Sequence, residues 1–312
     1  MLSNNLSTEI AGLKFKSPLI LASGILGISS SSMQVLADYG IGGVTTKSIG
    51  PKKRIGYPNP SIIGLGDGAF LNAVGLANPG IDAYEKEIPE IKKKKDLIVI
   101  ASIFGDNPES FADMAERTWK AGADAVELNI SCPHAEVSAI GADPDLTGVF
   151  VKSVKKRVGC PVFVKLSPNV TDITATAVAA EKAGADALVA INTVRGLAID
   201  INTFRPILSH GIGGLSGSPI KYIGIKDVFS IYKKVKIPII GCGGISKYED
   251  VVEYFLAGAT AVQIGSGLYK GYQIIEHILN GLNDFLSEKS IKNISFLTGK
   301  AHKFNLEELR NE

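Results

Sequence analysis

Lys120-Ala121-Gly122-Ala123-Asp124-Ala125-Val126-Glu127-Leu128-Asn129-Ile130-Ser131-Cys132-Pro133 reads as a helix end, a glycine turn, an apolar strand and a polar strand exit. The first six residues have near-copies in Lys182-Ala183-Gly184-Ala185-Asp186-Ala187 and Leu256-Ala257-Gly258-Ala259-Thr260-Ala261. Each copy places Gly where a helix ends in a left-handed C′ residue, then turns into a β-branched apolar run. Helix-to-strand joints repeated at long spacing imply parallel βα architecture. Pro133 cannot donate to a ladder, so the chain turns there and leaves Asn129 and Cys132 at a strand mouth. That is where an α/β barrel keeps its chemistry.

Eight apolar runs are candidate strands: 19–23, 43–47, 98–103, 125–130, 162–166, 187–192, 237–241 and 261–265. Eight strands interleaved with helices predict a (β/α)8 TIM barrel of the α/β class. Asn107-Pro108-Glu109-Ser110 starts one helix with a cap and a first-turn Pro, Thr171 or Asp172 starts another, and Ser246 caps a third. Residues 8–10 and 13–15 form an N-terminal β-hairpin turning at Gly12, placed to plug one end of the barrel. Two βα connections, 49–80 and 194–218, are Gly- and Pro-rich insertions of the length used for lids or ligand-binding elements. No linker interrupts residues 1–312, which read as a single domain.

The 312 residues, 45% hydrophobic and 21% charged, suffice for a large core. Thirty-three basic against 31 acidic residues leave a net charge of +2, too little for a nucleic-acid footprint, and Lys92-Lys93-Lys94-Lys95 reads as a solvated helix end. Cys132, Cys160 and Cys242 have neither metal-site nor disulfide-framework spacing, which suits a reducing cytoplasm. No apolar run reaches the ~18 residues of a bilayer span, and no secretory leader is evident.

The strand exits present Ser23, Lys47 and Ser48, Asn129 and Cys132, Lys165 and Ser167, Asn192 and Thr193, Gly243-Gly244, and Gly265-Ser266. All converge on one barrel mouth. The glycines after strands seven and eight, Gly241-Cys242-Gly243-Gly244-Ile245 and Ile264-Gly265-Ser266-Gly267, offer backbone amides suited to a phosphate, although each alone is equally a tight turn. No Walker or Rossmann fingerprint is present. Lys165, inside Val162-Phe163-Val164-Lys165-Leu166, is poorly explained as a snorkelling surface lysine, because a buried ammonium needs an anion or polarised oxygen. Lys47 admits either function or simple solvation. Cys132 could be a packed small hydrophobe, but its loop position near Asn129 and two lysines favours proton transfer or nucleophilic work. Cys160, before Pro161, and Cys242, packed in a Gly turn, take the bland reading; His134 reads as a solvated loop residue.

With these motifs in order, the chain resembles the dihydroorotate dehydrogenases of class 1, and within them the NAD-linked class 1B catalytic subunit. The resemblance rests on Asn72-Ala73-Val74-Gly75-Leu76 with Asn78-Pro79-Gly80, on Asn129-Ile130-Ser131-Cys132-Pro133, on Val164-Lys165-Leu166-Ser167-Pro168-Asn169, on Ile191-Asn192-Thr193 and on Gly213-Gly214-Leu215-Ser216-Gly217. It implies a TIM barrel with FMN at its mouth that oxidises dihydroorotate to orotate in pyrimidine (UMP) biosynthesis. Matched by motif, Ser23, Lys47, Ser48, Ser102, Asn129, Lys165, Ile191, Gly217, Gly243, Gly244, Gly265 and Ser266 would hold FMN. Lys47, Asn72, Ala73, Val74, Gly75, Leu76, Asn129, Asn192 and Thr193 would hold the substrate. Cys132 would remove the C5 proton while the C6 hydride leaves for FMN; Ser131 is the neighbouring rival base, since other branches use serine at the position of Cys132. A thiol with a free pKa near ~8.5 implies activity rising with pH unless the site lowers it.

Three departures from the family pattern stand out. His134-Ala135-Glu136-Val137-Ser138 follows the Cys132-Pro133 pair where Asn and a Gly-rich stretch are usual, Ser102 replaces an asparagine of the third strand and weakens one flavin contact, and residues 194–205 match nothing closely. Class 1B enzymes hand electrons to NAD through a separate FAD and iron–sulfur subunit, whereas class 1A enzymes use fumarate. The resemblance therefore implies a homodimer, or a heterotetramer with that partner. The alternatives are a flavin-dependent reductase of the dihydropyrimidine dehydrogenase type, a Lys165 Schiff-base aldolase, and a barrel that binds ligand without turnover.

Overall fold

In the computed structural model, which describes residues 4–130 and 140–304, the eight apolar runs are eight parallel strands closed in sequence order into a barrel. The strands are β1 Leu19–Leu21, β2 Gly43–Thr45, β3 Ile98–Ile103, β4 Ala125–Asn129, β5 Val162–Lys165, β6 Ala187–Ala190, β7 Ile239–Cys242 and β8 Ala261–Ile264. Helices α1 Ser30–Asp38, α2 Ile81–Lys92, α3 Pro108–Lys120, α4 Pro144–Lys155, α5 Ile173–Lys182, α6 Lys221–Tyr232, α7 Tyr248–Ala257 and α8 Gln273–Glu288 lie between and after them. The strands read as predominantly apolar runs because both faces are buried. Ile20, Ile100, Phe163, Val189 and Ile240 fill the interior, while their sequence neighbours such as Leu19, Leu21, Val99, Val162 and Val164 pack outward with the helices.

The hairpin forms as predicted, Thr8–Ile10 against Leu13–Phe15, turning through Ala11 and Gly12 at positive φ. Ile10 and Phe15 join the interior cluster with Ile20 and Phe163, so the hairpin closes the amino-terminal end of the barrel. Asn107 caps α3 by accepting from the Ser110 amide, and Asp172 caps α5. Ser246 does not cap α7. The helix begins one residue later, and the Asp250 carboxylate reaches back to accept the Ser246 and Lys247 amides at 2.8 and 3.1 Å, fixing the entry to the helix from within its first turn.

The glycine joints are Schellman motifs. Gly122, Gly184 and Gly258 have positive φ, and in each case the following amide donates five residues back, Ala123 to Thr118, Ala185 to Ala180 and Ala259 to Tyr254. A fourth copy, without sequence identity, ends α1: Gly40 has positive φ and Ile41 donates to the Leu36 carbonyl. At all four joints the residue before the even-numbered strand donates to the preceding odd one: Gly42 to Leu19, Asp124 to Val99, Asp186 to Val162 and Thr260 to Ile239. Asp124 and Asp186 add a carboxylate that accepts the Val99 and Val162 amides at 2.8 and 2.7 Å and pairs with Lys92 and Lys155. The lysine run accordingly carries ion pairs, Lys92 with Asp124, Lys93 with Glu90 and Lys94 with Asp38.

The two insertions are not separate lids. Ile62–Gly66 and Ala69–Asn72 from the first, with Gly213–Gly217 and Val194–Gly196 from the second, make one four-stranded antiparallel sheet. Leu71, Ala73 and Leu208 form its own small core with Tyr57, Ile63 and Leu215. A Cβ on Gly217 would strike the Gly68 carbonyl, so only glycine permits the strands to cross there. A ribbon, Ile199–Asp200 with Arg205–Pro206, projects from the second insertion.

Candidate active site

A cavity of about 830 Å³ opens at the carboxyl ends of the strands, under the sheet of the two insertions. The catalytic ends of a barrel lie there because the βα connections can vary without disturbing the strands. Its wall includes Ser23, Lys47, Ser48, Asn129, Lys165, Ile191, Gly217, Gly243, Gly244, Gly265 and Ser266, together with Asn72, Ala73, Val74, Gly75, Leu76, Asn192 and Thr193. Eighteen predicted positions, scattered from 23 to 266 in sequence, thus share one wall. Ser102 is the exception. It is fully buried behind the wall, where its hydroxyl meets that of Ser48 at 3.0 Å and its amide donates to Thr46 Oγ1. It reaches the cavity only through Ser48, so the expected direct contact is replaced by a positioning one. Cys132, Ser131 and His134 lie outside the described residues.

Hydrogen bonds tie the rim into a belt. Ser48 lies 3.3 Å from the Ser23 hydroxyl and accepts from Asn129 Nδ2 at 2.9 Å. Asn169 Nδ2 donates to the Thr193 carbonyl at 3.0 Å, and Asn72 Nδ2 donates to the Gly214 carbonyl at 3.0 Å, joining one insertion to the other. On the β7 side, Tyr254 Oη donates to the Gly243 carbonyl at 2.8 Å, and Lys221 pairs with Asp250 at 3.0 Å behind Ser246. The Gly243-Gly244 turn is therefore held by α7, which is itself tied to α6 through the Lys221–Asp250 pair.

The charges are lopsided. Lys47, Lys165 and Arg195 line the cavity, against one described carboxylate, Glu127. Burial pushes the Lys47 ammonium below its ordinary pKa. Lys165 is 6% exposed and donates to Gln263 Oε1 at 2.6 Å and to Cys242 Sγ at 3.3 Å. Cys242 is thus the last residue of β7 with its thiol engaged, rather than packed inside the turn. Cys160 is buried with its thiol pushed up to about 11, as suits an inert core residue. Reading the strand exits alone missed Glu127 and Gln263, whose signal was a polar side chain within an apolar strand, and it missed Arg195, Tyr57 and His210, the last two stacked at 3.9 Å in the wall.

The cavity chemistry fits a flat anionic cofactor. Apolar residues such as Ala22, Ile191 and Leu76 supply faces for a ring system, the Gly243-Gly244 and Gly265-Ser266 backbones supply amides without intervening side chains, and the lysines supply positive charge. An ammonium carries three N–H donors, and the protein takes two of those on Lys165. Among the described residues the third has no acceptor and is left for whatever occupies the cavity.

No helix among the described residues is long and apolar enough to cross a membrane. The family profile of dihydroorotate dehydrogenase matches residues 5–286. The chain is 48% identical over 303 residues to the dihydroorotate dehydrogenase B (NAD(+)) catalytic subunit of Methanocaldococcus jannaschii, covering 95% of this chain and 98% of that one. It is 45% identical over 306 residues to the subunit of the same name from Pyrococcus horikoshii, covering 97% and 100%. The fold is that of the crystal structure of DHODH in complex with ferulenol from Eimeria tenella, with a TM-score of 0.86, 24% identity and coverage of 97% of this chain and 90% of that one. The chain belongs to the dihydroorotate dehydrogenase family and stands with its class 1B members.

Proposed function

We propose that this chain is a single FMN-binding domain that oxidises dihydroorotate to orotate in pyrimidine biosynthesis. The observation that carries the reading is the barrel-mouth cavity, which gathers the family-matched positions around an excess of cationic side chains in a chain of this family. Ser23, Ser48, Asn129, Lys165, Ile191, Gly217, Gly243, Gly244, Gly265 and Ser266 would hold FMN, with the glycine turns and Ser266 at its phosphate and Lys165 at a polar edge of its ring. Bound there, FMN supplies an acceptor for the hydride that leaves C6.

The chain's own residues supply the rest. Asn72 to Leu76, Asn129, Asn192 and Thr193 offer amides and backbone groups to the planar imide, and Lys47 offers its ammonium to the carboxylate. Cys132 takes the C5 proton, with Ser131 as the neighbouring candidate. The Lys165 aldolase reading is disfavoured by the family, whose named members are dehydrogenases.

The relatives are named as catalytic subunits of an NAD(+) enzyme. On that basis the electron acceptor is NAD(+), reached through a separate FAD and iron–sulfur subunit, and the working assembly is a homodimer or a heterotetramer with that subunit. The projecting ribbon and its flanks carry Leu197, Ile199, Ile201, Phe204 and Ile212 exposed, as association would use. Buried free thiols at Cys160 and Cys242 suit a cytoplasmic location.

An anaerobic absorbance spectrum tests the reaction. The purified chain should be yellow and bleach on addition of dihydroorotate but not of dihydrouracil, which separates it from a dihydropyrimidine dehydrogenase. The Cys132→Ala variant should stay yellow and bleach about 10²- to 10⁴-fold more slowly, the usual contribution of a positioned base. A colourless wild-type protein would sink the flavin reading.

A further inference from the structure

Two ionisable side chains occupy the closed interior of the barrel at the floor of the cavity, and one of them has no role so far. Glu127 of β4 is fully buried. Its Oε2 accepts from Gln263 Nε2 at 2.6 Å, and its Oε1 has no hydrogen-bond partner among the described residues. Gln263 of β8 turns its other end to Lys165, whose Nζ donates to Oε1 at 2.6 Å, and its amide also donates to Thr45 Oγ1 at 3.3 Å.

The direction of every bond in this chain is fixed by its ends. The ammonium can only donate and the carboxylate can only accept, so the amide between them has one permitted orientation. A buried carboxylate is a costly way to fill a barrel interior, because a leucine or valine would do so without desolvating a charge. Its contribution is electrostatic: it balances the Lys165 charge from the floor of the cavity. Among the described residues Gln263 and Cys242 take two of the three lysine donors, which leaves the third for the cavity.

We propose that Glu127, acting through Gln263, is a positioning residue that aims the Lys165 ammonium at the cofactor and tempers its charge, thereby setting the redox balance of the flavin site. This rests on the FMN reading above. A lysine without its counter-charge would stabilise the electron-rich reduced cofactor more strongly. In Glu127→Gln the neutral amide can donate as well as accept, so the carboxylate no longer fixes the orientation of Gln263 beneath Lys165.

The test is the equilibrium between oxidised and reduced flavin in the purified holoprotein, followed spectroscopically against a reference dye. Glu127→Gln should raise the reduced-to-oxidised ratio at fixed potential about tenfold, roughly 30 mV for a two-electron couple, with flavin content unchanged. The swapped pair Glu127→Gln with Gln263→Glu keeps one carboxylate in the chain, now directly on Lys165, and should bring the ratio back towards the wild type. A wild-type ratio in Glu127→Gln, or a swap that fails to restore it, overturns the proposal. Should the wild-type protein carry no flavin, the cofactor reading fails by itself. The Lys165 contact is then read from its Nζ resonance in the flavin-free protein, where a shift in Glu127→Gln supports the positioning role and an unmoved resonance overturns it.

Discussion

Lys47 is half-buried in the cavity wall, and burial alone holds its ammonium below the ordinary 10.5. Between that lowered value and 10.5 the unfolded chain binds more protons than the folded one, so the empty protein should gain stability as pH rises through this window. An anion beside Lys47 restores the charged form. Orotate binding in the alkaline range should therefore take up protons, seen by calorimetry in buffers of different ionisation heat, and Lys47→Met should abolish the uptake. Equal uptake in the variant would assign it to another group. At this scale the sequence was most informative for residues whose chemistry conflicts with their surroundings. Lys165 in an apolar strand announced itself, and Glu127 and Gln263 carried the same signal in Ala125–Asn129 and Ala261–Ile264 without being taken up. Arg195 and His210 carried none, since a polar residue in a loop is ordinary until the loop is placed.

Among the elements, the joints at the foot of the barrel separate two kinds of contact. Asp124 joins Lys92 in a half-exposed ion pair and accepts the buried Val99 amide. An exposed pair is worth at most about 1 kcal/mol, whereas an orphaned buried amide costs about 1–3 kcal/mol. Asp124→Ala should accordingly destabilise by about 1–3 kcal/mol in urea unfolding, and Lys92→Met by less than about 1 kcal/mol. Equal effects would show that the ion pair dominates. The eight strands were legible because burial on both faces makes each a predominantly apolar run, and the hairpin because its two strands alternate around Gly12. The cap of α7 was misread because the Asp250 carboxylate, inside the first turn, draws the Ser246 amide and hydroxyl towards itself, so that the helix starts after Lys247.

For the molecule as a whole, the sheet over the cavity is built from two insertions more than a hundred residues apart in sequence, and no local pattern could pair them. Its small core, separate from that of the barrel, should let it open at lower free energy than the strands beneath. Amide exchange in 62–72 and 213–217 should be faster than in β3 to β5, and orotate should slow it; exchange as slow as the barrel's in the empty protein would show a permanently closed site. The four glycine joints have a wider meaning. They divide the ring into quarters, each a pair of neighbouring strands fastened by the same backbone bond, although the joint at Gly40 shares no residue with the other three except the glycine. The foot of the ring is thus held shut four times over by main chain alone, which leaves the side chains of the opposite rim free to be chosen for what they bind.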